Sequence, residues 1–381
     1  MSFRNDLRTT LSRLLGIPEN RCDLASEKRG EIELDQVIVE KWLFTAEPGS
    51  RIPVNLYRPR QIAEPIPAIV LTCGHGGSKS VPAMNYVART YAMSGIACLL
   101  ADPLGEEERH HEGGMGTRAH DAQSVAYRCE LAGRPVMGKF VFDAMRSFDF
   151  LETLSWVSPD QMGAAGNSLG GAIVGWLYAL EPRLRAVIVS GWAFSDYLCS
   201  RHGKHCTRVP NLKLRAVCEW DDFLRLGFEH AACLVMNGDA DSIIDDDGSG
   251  TVWRDTKEHC AVVDPAGERL RTWFCSGGGH RAYHGTAHAL RFMEEHLGTG
   301  STTAHAIAEL PEIHYGTWCD RNGIQLEALY GNELHHRGVM LPDLGLKPLD
   351  RKSLAVLKPD EVGNADFTID GWLEACTRPE A

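Results

Sequence analysis

The stretch AAGNSLGGAIVGW, from Ala164 to Trp176, places a single serine between two glycines. Gly166 lies two residues before Ser168 and Gly170 two residues after it, so few side-chain atoms surround the hydroxyl. The pattern Gly-x-Ser-x-Gly is typical of a tight turn from a strand into a helix, which lifts a serine clear of a sheet. The small residues that follow indicate a helix packed closely on that sheet. Because the motif is short, its meaning depends on the rest of the chain.

Apolar and alternating runs predict the fold around this motif. Eight runs are interpreted as strands, at 32–45, 52–57, 68–73, 96–102, 162–166, 186–191, 232–238 and 271–275. Helical patterns lie at 84–94, 136–156, 170–180, 253–263 and 286–297. The last six runs are short and mainly apolar, which is typical of parallel strands covered on both faces. We therefore predict an α/β fold with a mostly parallel eight-stranded sheet, helices on both faces and an antiparallel pair at its start.

The spacing of these runs predicts the organisation of the chain. Long segments at 104–135 and 192–230 follow the fourth and sixth predicted strands. Both leave the carboxyl ends of strands, where open α/β sheets bind ligands, so we expect cap-like insertions there. We also predict a helical N-terminal segment at 1–30 and a catalytic domain at 31–298. The remainder, 299–381, has weak periodicity and several prolines, which favours an extension packed on the core.

Composition and charge exclude several classes of protein. The net charge is −12 and no stripe of Lys and Arg stands out, so we expect no nucleic-acid partner. No run of eighteen apolar residues and no signal peptide is visible, which predicts no membrane span and a cytoplasmic protein. The twelve cysteines form no Cys-x-x-Cys pair and are expected to be reduced thiols. The oligomeric state is left open, with a homodimer as one option.

Six segments occur in an order that resembles the α/β-hydrolase superfamily. They are LYRP before the third predicted strand, CGHGGSK after it, DPLGEEER after the fourth, GNSLGG after the fifth, NGDAD after the seventh and GGGH after the eighth. The resemblance covers residues 32–297 and is greatest to the dienelactone-hydrolase-like and bacterial acetyl-xylan-esterase-like groups. It implies an α/β-hydrolase fold and a serine esterase that acts on a small-molecule ester through an acyl-enzyme intermediate.

The same resemblance implies a catalytic triad. A serine hydroxyl becomes a good nucleophile when a base removes its proton, and the base needs a carboxylate to orient it. In the superfamily the acid and the histidine follow the serine, which assigns these roles to Asp241 and His280 beside Ser168. Asp239 is expected to end the strand before Asp241, and the acids at 245–247 are expected to turn towards solvent.

The negatively charged oxygen of the transition state needs hydrogen-bond donors. The backbone N–H of Leu169, at the start of the predicted helix, is the first candidate. The second is expected from the CGHGG segment, at the N–H of His75 or Gly76. The imidazole of His75 could instead act as a second base, but the superfamily uses this position through its backbone.

Other residues are candidates for substrate binding. Arg109 lies in the DPLGEEER segment, although Glu107 stands where the esterase-like group has glycine. Trp192 and His202, in the second insertion, are candidates to line an acyl or alcohol pocket, or they contribute to packing alone.

No metal or other cofactor is predicted. His110, His111, His120 and Asp121 carry metal-binding side chains, but their spacing is not that of a zinc site.

The most specific expectation is hydrolysis of a small acyl ester of a sugar or of another polar alcohol. A glucuronoyl ester is less favoured, because that branch follows its serine with arginine and this chain has Leu169. One alternative keeps the triad but applies it to a lactone, a thioester or a carbon–carbon bond next to a carbonyl. An alternative of another class is a non-catalytic binding protein on a hydrolase scaffold.

Overall fold

The main sheet of the protein has nine strands in the computed structural model, which describes residues 2–201, 205–299, 302–326, 328 and 338–377. They are β1 (Glu27–Glu33), β2 (Val37–Glu47), β3 (Ser50–Pro59), β4 (Ile66–Thr72), β5 (Ala97–Ala101), β6 (Val157–Asn167), β7 (Leu184–Ser190), β8 (Ala232–Gly238) and β9 (Leu270–Cys275). Their order is β1-β2-β3-β5-β4-β6-β7-β8-β9. Neighbours from β1 to β3, and the pair β3 and β5, are antiparallel, and every later pair is parallel. The predicted mostly parallel sheet is confirmed.

The sheet has nine strands among the described residues, so the prediction of eight strands is wrong. The run at 32–45 contains the end of β1, a turn and most of β2, and the N–H of Leu34 donates to the carbonyl of Val37 across that turn (2.9 Å). β1 has the sequence EKRGEIE and no buried residue, so it lacks the apolar pattern that identifies a strand. The predicted boundary at residue 30 falls inside this edge strand.

Helices cover both faces of the sheet. They are α1 (Ser2–Leu14), α2 (Pro82–Met93), α3 (Gln123–Leu131), α4 (Val136–Glu152), α5 (Leu169–Leu180), α6 (Asp196–Arg201), α7 (His205–Arg215), α8 (Trp220–Phe228), α9 (Thr251–Val263), α10 (Ala287–Leu297), α11 (Thr302–Ala308), α12 (Tyr315–Arg321) and α13 (Ile369–Thr377). The five helices predicted between the strands correspond to α2, α4, α5, α9 and α10. α3 lies in the first predicted insertion, and α6, α7 and α8 lie in the second. Among the described residues, no helix is both long enough and apolar enough to span a membrane.

The core is divided by the sheet into two apolar clusters. Successive residues of β4 alternate between them: Ala68 and Val70 pack with α4 and α5, whereas Ile69 and Leu71 pack with α2 and α10. This alternation follows from the pleat of a strand, whose neighbouring side chains point to opposite faces. Because both faces are covered, the central strands carry apolar side chains on both faces, and this made them recognisable in the sequence.

The C-terminal residues contact the core at several buried points. The indole N–H of Trp372 in α13 donates to Glu47 Oε1 (2.9 Å), and Lys139 pairs with the same carboxylate oxygen (2.8 Å). Tyr86 in α2 donates its hydroxyl to the carbonyl of Pro342 (2.6 Å). Pro342 ends a short strand, β11 (Met340–Pro342), which pairs antiparallel with β10 (Glu312–His314). These contacts join the extension to both faces of the sheet.

Candidate active site

Ser168 stands in the turn between β6 and α5. Its backbone has φ +60° and ψ −118°, outside the conformations that residues other than glycine usually adopt. The N–H of Ser168 donates to the carbonyl of Ser190 (2.9 Å), and its carbonyl accepts the N–H of Ala172 (2.9 Å). The strand-to-helix turn expected at this serine is therefore present, and its strain is held by bonds on both sides.

The two glycines of the motif allow α5 to begin close to β4. A Cβ atom on Gly166 would lie 2.1 Å from Thr72 Oγ1, and one on Gly170 would lie 2.2 Å from the carbonyl oxygen of Thr72. Both distances are far below van der Waals contact, so a larger residue at either position would displace the helix. The Thr72 hydroxyl completes this contact by donating to the carbonyl of Gly170 (2.8 Å).

Asp241 and His280 form a buried pair. The distance from Asp241 Oδ2 to His280 Nδ1 is 2.8 Å, and the two residues are 1% and 7% exposed. The second carboxylate oxygen, Oδ1, accepts the backbone N–H groups of Ile243 (3.0 Å) and Ile244 (3.2 Å). These bonds fix the carboxylate and stabilise its charge, so that it can orient the imidazole through Nδ1.

The loop that carries His280 is joined to the turn at Ser168 through Ser190. The hydroxyl oxygen of Ser190 accepts the N–H of Tyr283 (3.1 Å) and lies 3.2 Å from the carbonyl oxygen of Arg281. The carbonyl of Ser190 accepts the N–H of Ser168, as described above. One residue at the end of β7 therefore contacts both the turn of the serine and the loop of the histidine.

The neighbouring acids have other partners. Asp239 is exposed, and its Oδ1 accepts the N–H of Gly277 in the loop before His280 (2.6 Å). Asp245 is 4% exposed and accepts the N–H of Gly250 (2.8 Å), so the expectation that it turns towards solvent is wrong. Its carboxylate closes the turn before α9, a role that the spacing of the acids did not indicate.

The loop after β4 runs beside the serine. A Cβ atom on Gly74 would lie 3.3 Å from Ser168 Cβ, and Gly76 has φ +73°, a conformation that favours glycine. This loop carries His75. Leu169 is the first residue of α5, where backbone N–H groups have no acceptor within the helix. The backbone positions predicted as oxyanion donors therefore belong to two segments that meet at Ser168.

The imidazole of His75 contacts the first insertion. Its Nε2 lies 3.0 Å from Asp121 Oδ1, and its ring stacks on that of His120 with a centroid distance of 5.5 Å. Burial and the neighbouring His75 lower the pKa of His120 to about 3. No spacing rule connects His75 with residues so much later in the chain, so this cluster could not be predicted from the sequence.

A match to a known protein family shows to which family this chain belongs. The sequence profile of the family described as acetyl xylan esterase (AXE1) matches residues 19–213. The chain belongs to the AXE1 family. The matched residues include the serine motif, the loop after β4 and the first insertion, but they end before Asp241 and His280.

One relative and two solved structures are similar to this AXE1 chain. YtaP of Bacillus subtilis (strain 168) is 26% identical over 193 residues, which are 49% of this chain and 63% of the length of YtaP. Acetyl xylan esterase 1 from Thermoanaerobacterium sp. JW/SL YS485 is 17% identical, with a TM-score of 0.51 over 77% of this chain and 94% of that one. A glucuronoyl esterase from Teredinibacter turnerae T7901 is 16% identical, with a TM-score of 0.53 over 80% and 83%. These structures confirm the α/β-hydrolase fold.

Two of the residues predicted to contact substrate are buried in this AXE1 chain. Arg109 is 1% exposed and pairs with Asp143 (2.8 Å), so its charge is neutralised inside the protein. Trp192 is 4% exposed, and its carbonyl accepts the side-chain amide of Asn237 (2.7 Å). Its Cβ packs on Gly171 at the start of α5. His202 lies outside the described residues.

Glu107 replaces the glycine of the esterase-like group but keeps a backbone suited to glycine. Its φ is +43°, and its side chain is buried. Both carboxylate oxygens accept the hydroxyl of Ser80 (2.5 and 2.6 Å), and Arg351 of the extension donates to Oε1 (2.8 Å). Although burial opposes ionisation, the charge of Lys79 and the bond from Arg351 hold the pKa of Glu107 below its ordinary value. The substitution thus adds a link to the extension at the cost of backbone strain.

Replacing Glu107 should reveal both the stabilisation from its side-chain bonds and the cost of its backbone strain. Glu107→Ala and Glu107→Gly both lose the bonds to Ser80 and Arg351, so both should lower the free energy of unfolding. Glycine relieves the strain at φ +43°, so we expect Glu107→Gly to be more stable than Glu107→Ala by about 1 kcal/mol. Urea unfolding of the three proteins measures this difference, and equal stability of the two variants would contradict the role given to the strain.

His284 provides a prediction about pH. It is fully buried, and burial lowers its pKa to about 4, whereas an unfolded histidine titrates near 6.5. The unfolded chain therefore binds a proton that the folded chain excludes, and stability present above pH 6.5 is lost as the pH falls towards 4. His284→Gln should flatten the pH dependence of the unfolding free energy in this range by up to about 1.4 kcal/mol per pH unit.

The measurement is urea unfolding of both proteins at several pH values between 4.5 and 7.5. The difference between the two slopes isolates His284 from the other titrating groups. Parallel slopes would mean that His284 is not held neutral. Turnover of His284→Gln at neutral pH should change little, in contrast to a variant of His280.

Proposed function

We propose that the protein hydrolyses a carboxylic ester through an acyl-enzyme intermediate on Ser168. The observation that carries the proposal is the buried Asp241–His280 pair, whose loop shares Ser190 with the strained turn of Ser168. Membership of the AXE1 family supports ester chemistry. A serine, an oriented imidazole and a buried carboxylate form the arrangement that acyl transfer requires.

The reaction proceeds in two halves. Ser168 Oγ attacks the carbonyl carbon while Nε2 of His280 takes the hydroxyl proton, and Asp241 stabilises the imidazolium through Nδ1. The bond to the alcohol then breaks, and His280 gives its proton to the departing oxygen. In the second half, water attacks the acyl group with His280 again as base, which releases the acid and restores the serine.

The negative charge of each tetrahedral intermediate is placed on the former carbonyl oxygen. We assign its stabilisation to the backbone N–H of Leu169, at the positive end of α5, and to the N–H of His75 or Gly76. Such donors are fixed before the reaction, so they stabilise the transition state without reorganisation.

The substrate class proposed is a small acyl ester of a sugar or of another polar alcohol. The family description and the Thermoanaerobacterium neighbour both name acetyl xylan esterase activity, which favours an acetyl ester of a sugar as the first candidate. Glucuronoyl esters come second because Leu169 stands where that branch carries arginine.

The test combines labelling with a substrate panel. A fluorophosphonate probe should label Ser168, and acid quenching during turnover of an acetyl ester should trap an acetyl group on the same peptide in mass spectrometry. The panel contains acetylated xylooligosaccharides, a methyl glucuronate ester, an aryl acetate, a lactone and a thioester. Highest kcat/KM on the acetylated sugars supports the proposal, and preference for the lactone or thioester would reassign the bond that is cleaved. Absence of both label and turnover would favour a binding protein.

A further inference from the structure

Three metal-binding side chains from two separate segments meet at the loop after β4. His75 follows β4, and His120 and Asp121 belong to a 3-10 helix in the first insertion (Ala119–Asp121). Their nearest donor atoms all lie within 4.8 Å of one another. Asp121 Oδ1 is 3.0 Å from His75 Nε2 and 3.6 Å from His120 Nε2.

The two separations measured from Asp121 are close to those between ligands of a tetrahedral ion. Nitrogen and oxygen ligands lie about 2.0–2.2 Å from zinc, so two of them at a tetrahedral angle are about 3.3–3.6 Å apart. The distances of 3.0 and 3.6 Å from Asp121 Oδ1 lie close to this interval, and movements of a few tenths of an ångström would place one ion between the three atoms.

His120 supplies an independent observation. Its side chain is 1% exposed, and within the described part of the chain neither ring nitrogen makes a hydrogen bond of normal length and angle, although the backbone of Leu104 makes a weaker polar contact with the ring. Buried polar atoms in folded proteins nearly always have a partner, because leaving them without one is costly. Its Nε2 faces Asp121 at a distance too long for a hydrogen bond. Its Nδ1 lies 3.9 Å from Glu106 Oε1, which is also too long for a hydrogen bond.

We propose that His75 Nε2, His120 Nε2 and Asp121 Oδ1 bind one divalent transition-metal ion of the Zn²⁺ type. Two imidazoles and one carboxylate leave a fourth tetrahedral position for water, as in zinc sites with three protein ligands. The ion joins the loop of His75 and Gly76 to the first insertion. Because the proposed oxyanion donation uses backbone N–H groups, the ring of His75 can hold the metal at the same time. The prediction of no metal was based on the spacing of His110, His111, His120 and Asp121, and it did not include His75.

A neighbouring cluster offers a matched control. His110, His111 and Glu112 also bring three possible ligand atoms within 4.8 Å, but His111 and Glu112 are exposed. The ring Nδ1 of His110 already accepts the N–H of Glu112 (3.2 Å). A double variant, His110→Ala with His111→Ala, removes this cluster and leaves the proposed ligands in place.

The experiment uses the full chain after dialysis against a chelator, followed by calorimetric titration with Zn²⁺ and, separately, with Co²⁺. We expect one equivalent of Zn²⁺, a rise in the unfolding temperature, and the visible absorption bands of tetrahedral Co²⁺. Asp121→Asn and His120→Gln should each weaken binding by more than about 100-fold, since a lost ligand costs more than a lost second-sphere partner. The control variant should bind like the wild type.

Both Asp121→Asn and His120→Gln are tested, so that a folding defect in one variant does not decide the result. Circular dichroism checks that each variant is folded. Absence of binding by the wild-type protein overturns the proposal. Unchanged binding in folded Asp121→Asn and His120→Gln, or loss of binding in the control, also overturns it. These readouts need no substrate, so they are independent of the proposed esterase activity.

Discussion

Replacing Ser168 with alanine should lower kcat for the preferred ester by on the order of 10⁶-fold, because the three proposed catalytic residues act as a unit. The hydroxyl is small and the turn is held by backbone bonds to Ser190 and Ala172, so the variant should fold normally. Steady-state kinetics measure the loss, circular dichroism and thermal unfolding check the fold, and the acetyl group trapped on the wild-type protein should be absent.

The matched control for this change is Ser147→Ala. Ser147 is a buried serine in α4 whose hydroxyl donates to the carbonyl of Asp143 (2.9 Å). Its variant also loses one hydroxyl, but it should keep its turnover and its labelling by the fluorophosphonate probe. Substantial ester hydrolysis by Ser168→Ala would remove the proposed mechanism altogether.

Replacing Asp241 with asparagine should reduce kcat by on the order of 10⁴-fold. The N–H groups of Ile243 and Ile244 select the side-chain oxygen of the asparagine, which turns its NH₂ group towards His280 Nδ1. An NH₂ donor forces Nδ1 to accept, so the proton of the neutral ring moves to Nε2. The ring then cannot take the proton of Ser168. Kinetics on the acetyl ester measure the loss.

Asp239→Asn is the comparison for this prediction. Asp239 is exposed, and asparagine can still accept the N–H of Gly277, so we expect only a modest loss of turnover. If Asp239→Asn were the more damaging change, Asp241 would not be the orienting acid. Equal, small losses in both variants would show that the imidazole is held by another group.

Local patterns made much of the fold and of the proposed site predictable. The central strands are buried on both faces, so their apolar runs identify them, whereas β1 is an exposed edge of charged residues and was missed. The turn at Ser168 depends on glycines within two residues of it, so it could be predicted from the local sequence. The pairing of Asp241 with His280 could be predicted because the resemblance to α/β-hydrolases gives the order of the triad and each residue follows a recognisable strand.

Contacts between distant segments could not be predicted in this way. Arg109 looked available for a substrate, and only the structure shows it buried against Asp143. His75 meets His120 and Asp121 because the loop after β4 and the first insertion pack on each other. Such a contact depends on the path of the intervening chain, so neither periodicity nor spacing in the sequence predicts it.

The bonds between the loop after β5 and the extension also set an order of events during synthesis. The buried carboxylate of Glu108 accepts the backbone N–H groups of Val356 and Leu357 (2.9 and 2.7 Å), and Glu107 binds Arg351. These partners leave the ribosome about 250 residues after the loop, a delay of about 10–50 s at ordinary rates of translation. During that interval the two carboxylates lack these partners in the extension. The strands on either side of the loop have already been synthesised and can pair. The nascent chain can therefore form these bonds of the loop after β5 only when residues 351–357 of the extension have been synthesised.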